Sequence, residues 1–239
     1  MPVFQEIEAI PLTDRVAAAL KDAFFSGKLK PGDAIVERQL AREMKVGTPV
    51  VREALISLQG QGFVRRVTNT GTFITQFSAE EVRQLYTLRI ELETLAFEWA
   101  RTKVTPSDLA ELKGLVDKLV EAGESGERRE FLERDFAFHK QCWILSGNTY
   151  LAETLERLMA PLFAFAVLAS SIPLTAAMGR EHYVFINALE KLQPPEFDHA
   201  IRKTLTGFAF RWISSMSSVP SNRNGAPSAP PNGDDTPAL

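Results

Sequence analysis

The chain has 239 residues, of which 45% are hydrophobic, and its formal net charge is −3. This apolar content suffices for a hydrophobic core and excludes a chain that is disordered throughout. The one cysteine, Cys142, excludes a disulfide-stapled secreted module and favours a reducing compartment. The N-terminus lacks a signal-peptide pattern, and the longest apolar stretch, residues 160–169, is about half the ~20 residues of a membrane helix. We therefore expect a cytoplasmic protein without a membrane segment.

Charge is unevenly distributed along the chain. Residues 1–77 carry ten Lys or Arg against eight Asp or Glu, whereas the rest carries 17 basic and 22 acidic residues. Residues 36–66 alone carry six basic and three acidic side chains. A surface that binds a polyanion is therefore expected in the first third.

The first third predicts helices followed by a two-stranded hairpin. Apolar residues recur at helical spacing between glycine and proline breaks, and two β-branched and aromatic runs flank the turn sequence TNTG. The helices are expected at 13–27, 37–44 and 49–59, and the strands at 63–67 and 72–76. This order is typical of a winged helix-turn-helix, so residues 1–77 are expected to form a DNA-binding domain.

A DNA-reading surface needs hydrogen-bonding or cationic side chains on the third helix and the hairpin. Thr48 lies at the start of the third helix, and Arg52 follows one turn later. The other candidates are Arg38, at the start of the second helix, and the hairpin residues Arg65, Arg66, Asn69, Thr70 and Gly71. The alternative is that the arginines are ordinary solvated charges.

From Ser78 onward the pattern predicts helices only. Ser78 and Glu81 form the capping-box pattern that begins the first of them. The expected helices cover about 78–103, 105–122, 127–146, 149–170, 175–191 and 196–216. Residues 78–216 are therefore expected to form an all-α antiparallel bundle. Residues 217–239 are rich in Pro, Ser, Gly and Asn and predict a disordered tail.

A pair of residues in the bundle has metal-ligand spacing. Asp135 and His139 are four residues apart, so one helix face brings a carboxylate and an imidazole together. His182 is a third candidate ligand, and His199 is a fourth. The alternative is a hydrogen bond on the helix surface, the commoner role of such a pair.

The motifs of the first third resemble those of the GntR family of bacterial transcription regulators. The matching segments are Gly27–Gly32, Glu37–Ala41 (ERQLA), Val46–Leu58 (with VREAL), Gly62 and Thr70–Ile74. The resemblance implies a winged-helix fold with DNA contacts from Arg38, Thr48, Arg52 and the wing around Gly71. Thr48 and Thr70 stand where the family commonly has Arg, which predicts a different operator sequence or weaker phosphate contact.

The helical part resembles the FCD ligand-binding domain of FadR-type GntR regulators. The matching residues are Arg89–Glu93 (RIELE), Asp135–His139, Ser146–Leu151 and Glu181–His182. The resemblance implies a divalent metal such as Zn²⁺ on Asp135, His139 and His182, with an organic acid beside it that pairs with Arg89. The family's fourth ligand is a histidine about 22 residues after His182, where this chain has Thr204. We therefore expect the metal to be weakly bound or absent, because a lost imidazole removes a strong donor.

Two features of the helical part have alternative interpretations. Arg89 has the alternative role of a surface ion pair with Glu93, one turn further along. The first helix and the aromatic cluster at 163–165 are candidates for a subunit interface, with core packing as the alternative. Operators read by winged helices are usually pseudo-palindromic, so a homodimer is expected.

Together these features predict a sequence-specific transcription regulator, a repressor by the common logic of the family, whose operator affinity is controlled by a small carboxylate metabolite. The alternative is a metal-dependent enzyme that uses Asp135, His139 and His182 with an open water position. The sequence has no H-E-x-x-H motif, nucleophile elbow or glycine-rich phosphate loop, which favours the regulator. A third possibility is an architectural DNA-binding protein without a ligand.

Overall fold

The structure, a computed structural model, describes residues 10–169 and 172–217. The predicted disordered tail, 217–239, lies outside the described residues except for its first position. No helix in the described ranges is both long enough and apolar enough to cross a membrane. Helices dominate, and a small sheet lies near the N-terminus, which confirms the predicted fold class.

The N-terminal part combines helices with an antiparallel sheet. Its elements are α1 (Leu12–Phe25), β1 (Ala34–Ile35), α2 (Glu37–Glu43), α3 (Thr48–Gly60), β2 (Val64–Val67) and β3 (Gly71–Ile74). β3 lies between β1 and β2, and Arg65 of β2 is opposite Phe73 of β3. The arrangement is the predicted winged helix-turn-helix. The sequence does not predict β1, because two residues show no alternation and pair only with the distant β3.

The hydrophobic core of the N-terminal part is built around one face of α3. Val51, Ala54, Leu55 and Leu58 are buried at helical spacing. They pack in one cluster with buried residues of α1 and the strands. Because these residues occupy the inward face, the outward face of α3, with Arg52, is left to solvent.

The remaining described residues form a helical bundle. Its elements are α4 (Ala79–Arg101), α5 (Pro106–Ser125), α6 (Arg128–Leu145), α7 (Thr149–Ala169), α8 (Ala176–Arg180), α9 (Tyr183–Lys191) and α10 (Glu196–Ser217). Ser78 and Glu81 form the predicted capping box at the start of α4. The predicted single helix 175–191 is divided into α8 and α9. A tighter turn separates the two helices, in which the N–H of His182 donates to the carbonyl of Gly179, three residues earlier, at 3.1 Å.

The aromatic cluster at 163–165 lies inside the molecule, so its predicted role in a subunit interface is wrong. Phe163 and Phe165 are 8% and 4% exposed, and Phe165 packs edge-on against Phe77 at 5.4 Å. Ala164 between them is buried in the core of the winged-helix part. The physical reason is that α7 packs against the bundle with one face and against the winged-helix part with another.

Candidate functional site

The helix-turn-helix presents a cationic depression to solvent. Arg38, Arg42 and Lys45 line it, together with Thr48 at the start of α3. The three cationic side chains are exposed, and the N-terminus of α3 adds N–H groups that favour an anion. Sequence reasoning identified Arg38 and Thr48 but missed Arg42 and Lys45. The available signal was the basic excess of residues 36–66.

Arg52, the predicted base-reading residue, is held by an ion pair in this structure. Its Nε and Nη2 both donate to Oε2 of Glu37, on α2, at 3.0 Å. The side chain of Arg52 is 56% exposed and that of Glu37 is 22% exposed, and a pair with its cation open to water contributes only about 1 kcal/mol. The cost of exchanging Glu37 for a base edge is therefore small, and base contact by Arg52 stays a prediction.

The β2–β3 hairpin carries the remaining DNA-binding candidates. Arg65, Arg66, Asn69, Thr70 and Gly71 are all exposed. At its tip the N–H of Thr70 donates to the Val67 carbonyl at 3.0 Å, and Asn69 has a left-handed φ of 61°. Asn adopts that conformation more readily than most residues, which suits it to the tip. The hairpin thus brings these residues together, and their contact with DNA stays a prediction.

In the bundle, the predicted metal ligands converge. Oδ1 of Asp135 lies 2.9 Å from Nε2 of His182 and 3.3 Å from Nε2 of His139. One ligand atom from each residue lies within 4.8 Å of the others. Both histidines are buried, at 0% and 2% exposure. The pair therefore does not lie on the helix surface, as that alternative requires, because His139 packs against Phe185 of α9 and Phe208 of α10.

The partners of the other ring nitrogens fit a metal ion. Nδ1 of His139 faces Oε2 of Glu93 at 3.0 Å, and Nδ1 of His182 faces the carbonyls of Met178 and Gly179 at 3.3 and 3.2 Å. Each Nε2 faces Oδ1 of Asp135, so every ring nitrogen of the two histidines lies beside an acceptor. With an ion between the Nε2 atoms and Asp135, each Nδ1 would keep its proton for its own acceptor, as in metal-binding histidines. The ring nitrogens of His139 lack hydrogen-bond geometry to their carboxylate neighbours. An ion between the Nε2 atoms and Asp135 would satisfy Nε2 of His139.

Glu93, which sequence reasoning did not connect to the histidines, joins this cluster to Arg89. Its Oε1 accepts from Nε of Arg89 at 2.8 Å, and both side chains are almost fully buried. Arg89 is thus paired with Glu93, but inside the bundle and not on the surface. The spacing of four residues indicated the pair, whereas nothing local indicated that α6 would bring His139 to the same carboxylate.

The cluster keeps its charges because its members compensate one another. Burial disfavours the charged carboxylate of Asp135, but His182 and His139 outweigh it and hold the pKa of Asp135 well below its usual range. Burial also disfavours the charged carboxylate of Glu93. Arg89 and His139 outweigh this effect and lower the pKa of Glu93. Burial disfavours imidazolium at His139, yet the Glu93 carboxylate raises the pKa of His139.

A cavity of about 20 Å³ lies beside the cluster and is lined in part by Arg89, Asp135, His182 and Arg211. One water or ion needs about 10–15 Å³, so the cavity holds such a species but not an organic acid. Nη2 of Arg89 and Nε of Arg211 are buried and have no hydrogen-bond partner within the part of the chain that the structure describes. Two unsatisfied guanidinium donors at one cavity suit an anion with several oxygens.

The candidate fourth ligand positions do not complete the site. Thr204 is half-buried, and its hydroxyl donates to the Ala200 carbonyl at 2.9 Å. One turn later Phe208 stacks on His182, with ring centroids 5.0 Å apart, so α10 offers an aromatic ring there. His199, the fourth candidate ligand, is exposed and is not part of the cluster. Cys142 is buried, and burial raises its thiol pKa, which agrees with a core residue.

Comparison with known protein families assigns both parts of the chain. Residues 12–74 match the family described as bacterial regulatory proteins, gntR family. Residues 84–207, more than half of the chain, match the FCD domain. The matched ranges contain the winged-helix elements and the Asp135–His139–His182 cluster, respectively.

Individual relatives are similar over much of the chain. The HTH-type transcriptional regulator McbR of Escherichia coli (strain K12) is 28% identical over 158 residues, 66% of this chain and 72% of McbR. The uncharacterized HTH-type transcriptional regulator YdhC of Bacillus subtilis (strain 168) is 32% identical over 57% of this chain, but the match spans only 62% of YdhC. The probable D-xylose utilization operon transcriptional repressor of Paenarthrobacter nicotinovorans is 26% identical over 73% of this chain and 77% of its own length.

A solved structure of E. coli McbR/YncC has a similar fold. Its TM-score is 0.69 at 25% sequence identity, and the alignment covers 87% of this chain and 98% of that chain. The similarity therefore extends over both the winged-helix part and the bundle.

Proposed function

The chain belongs to the GntR family of bacterial regulatory proteins and carries an FCD domain, and we propose that it represses transcription as a homodimer whose operator affinity is set by a small carboxylate ligand. It is a transcription regulator, as its named relatives are. The enzyme alternative is not supported, because both family matches and the relatives are regulators. We assign residues 1–77 to DNA binding, 78–216 to ligand binding and dimerisation, and the protein to the cytoplasm.

Operator recognition is assigned to α3 and the wing. The start of α3 enters the major groove, where Arg52 leaves Glu37 for a base edge and Thr48 lies beside it. Arg38, Arg42 and Lys45 bind phosphates from the adjoining depression. Arg65, Arg66 and the tip residues Asn69, Thr70 and Gly71 contact the backbone or the minor groove.

A divalent ion such as Zn²⁺ is assigned to Asp135, His139 and His182. The observation that carries this assignment is the convergence of Oδ1 of Asp135 with Nε2 of two buried histidines. Nε2 of His139 has no hydrogen-bond partner among the described residues. Three protein ligands leave a coordination position open, and such an ion attracts a carboxylate there. Since Thr204 supplies no imidazole, we expect weaker metal binding than in a site with four protein ligands.

The effector is assigned to the cavity beside these ligands. Its carboxylate binds the ion, and a second oxygen group binds the unsatisfied donors of Arg89 and Arg211. The present 20 Å³ does not admit an organic acid, so its entry requires the surrounding helices to separate. A ligand that favours the separated arrangement shifts the population toward it, which is how it changes operator affinity.

The dimer interface is assigned to α4. This helix carries an incompletely buried apolar stripe whose spacing alternates between three and four residues, the pattern of a coiled-coil seam. Its members are Leu85, Leu88, Leu92, Leu95 and Trp99. Leu88 is 43% exposed in the single chain. A second copy packed on this stripe would bring two winged helices to the two half-sites of a palindrome.

Titration of chelator-treated protein with Co²⁺, followed by its visible absorption, tests the metal assignment. We expect wild type and His199→Ala, which lacks an exposed histidine of α10, to bind one Co²⁺ per chain. Asp135→Asn and His182→Ala should each weaken binding at least tenfold. Equal affinities of all four proteins would refute the site.

A further inference from the structure

A second, much larger cavity lies between the winged-helix part and the bundle. Its volume is about 650 Å³, and its walls come from α1, α3 and the start of the hairpin on one side and from α6 and α7 on the other. Small-molecule sites have volumes of about 300–1,000 Å³ and favour the boundaries between domains. The cavity therefore has the size of a ligand site, unlike the small cavity in the bundle.

Each side of this interdomain cavity contributes a pair of phenylalanine rings. Phe25 and Phe63 on the winged-helix side pack edge to face at 6.3 Å. Phe136 and Phe163 on the bundle side do the same at 5.4 Å. Walls of this kind favour a flat aromatic ligand, because aromatic rings gain specific contacts beyond the apolar area that they bury.

The carboxylates of the lining are largely neutralised by neighbouring cations. Glu133 pairs with Arg129 at 2.7 Å, and Glu156 pairs with Lys140 at 2.6 Å. Both pairs belong to the bundle side. The third carboxylate of the lining, Glu153, is exposed to solvent.

The cations of the lining lack such partners. Among the described residues, Lys21 and Arg157 form no ion pair shorter than 4.0 Å. The ammonium group of Lys21 lies 4.7 Å from the centre of the Phe63 ring and donates to Oε1 of Gln61. Burial lowers the pKa of Lys21, although the more distant Glu156 favours the charged form. A ligand anion would supply the counter-charge that this half-buried ammonium lacks.

We propose that the interdomain cavity binds a small aromatic carboxylate, with its rings between the four phenylalanines and its carboxylate on Lys21. Arg157 contributes a second cation to the lining. This site is separate from the metal-centred site in the bundle, and its ligand is a different one.

The position of the cavity makes its ligand a regulator of DNA binding. Ser57 and Gly60 of α3 line it, so a ligand contacts the C-terminal half of the recognition helix. Phe163 lines it as well, and the guanidinium of Arg89 lies 5.1 Å from the centre of the Phe163 ring. A bound ligand thus contacts both the recognition helix and Phe163, the neighbour of Arg89 in the bundle site, and it stabilises one relative orientation of the two parts.

Calorimetric titration with 2-naphthoate tests the proposal. We expect one saturable site per chain in wild type, and at least a tenfold loss of affinity in Lys21→Met, which keeps most of the length of the side chain but removes the charge. Lys28→Met, which removes an exposed lysine just after α1, is the matched control and should bind as wild type does. Ser57→Trp, at an exposed position of the lining, should fill the cavity and abolish binding.

Three results would overturn the proposal. One is the absence of saturable binding to the folded wild type. Another is tighter binding of the cation (2-naphthylmethyl)trimethylammonium than of 2-naphthoate, which would reverse the charge assignment. The third is loss of 2-naphthoate binding in Asp135→Asn with Lys21→Met unaffected, which would locate the probe in the bundle.

Discussion

Replacing Glu93 by alanine tests whether the buried cluster is held by compensating charges. Glu93 is 0% exposed and contacts both Arg89 and His139. Removing one member of a buried ion pair costs about 3–5 kcal/mol, because the other charge stays buried without a partner. For a chain of this length, each kcal/mol lowers Tm by about 2–4 °C. Glu93→Ala is therefore expected to lower Tm by about 6–20 °C, measured by calorimetry on chelator-treated protein.

The matched control lies two residues away on the same helix. Glu91 pairs with Arg202 at 2.7 Å, but its side chain is 60% exposed. Exposed pairs contribute only about 0.2–1 kcal/mol, so Glu91→Ala should shift Tm by a few degrees at most. The double variant Arg89→Met with Glu93→Leu should recover most of the Tm that Glu93→Ala loses, because it removes both charges of the buried ion pair. Equal shifts for Glu93→Ala and Glu91→Ala would refute the reasoning.

Four further predictions concern DNA, assembly, metal and pH. Arg66→Ala should weaken binding to all DNA sequences alike and reduce the slope of log K against log salt by about 1, measured by fluorescence anisotropy. Leu88→Glu should give a monomer by light scattering at micromolar concentration; an unchanged dimer would reject the α4 interface. Thr204→His should tighten Co²⁺ binding at least tenfold, and no change would mean that this position does not face the ion. Hydrogen bonds from the backbone and side chain of Ser78 lower the pKa of Glu81. The stability that the ionised carboxylate supplies is full above its ordinary pKa and is lost as pH falls through the lowered value. Glu81→Gln should therefore lower Tm at neutral pH, and its difference from wild type should shrink as pH falls.

Local signals explain which features the sequence predicts. The apolar spacing of α3, with Val51 and Leu58 inward, and the Ser78 capping box are encoded within a few residues, and the structure agrees with both. β1 and the break at His182 depend on hydrogen bonds that local periodicity does not report.

The candidate site shows the same division between local and distant contacts. Asp135 and His139 share one helix face, so their spacing alone predicts that they meet. Glu93 reaches His139 only because α4 packs on α6, and the interdomain cavity exists only because α7 packs against the winged-helix part. The cluster at 163–165 has an apolar pattern that fits an interface and an interior equally well, and only the packing distinguishes them.

Selection of bound fragments from random double-stranded DNA by the full chain, followed by anisotropy on the selected sequence, tests the central claim most directly. We predict an inverted repeat that is bound at least about 10³-fold more tightly than a scrambled duplex at physiological salt. Arg52→Ala should lose about 1–3 kcal/mol on that sequence and discriminate less at one base pair of each half-site. Arg134→Ala, which removes an arginine of the bundle, should bind as wild type does. Failure to enrich any sequence, or equal affinity of wild type for the selected and scrambled duplexes, would contradict operator recognition.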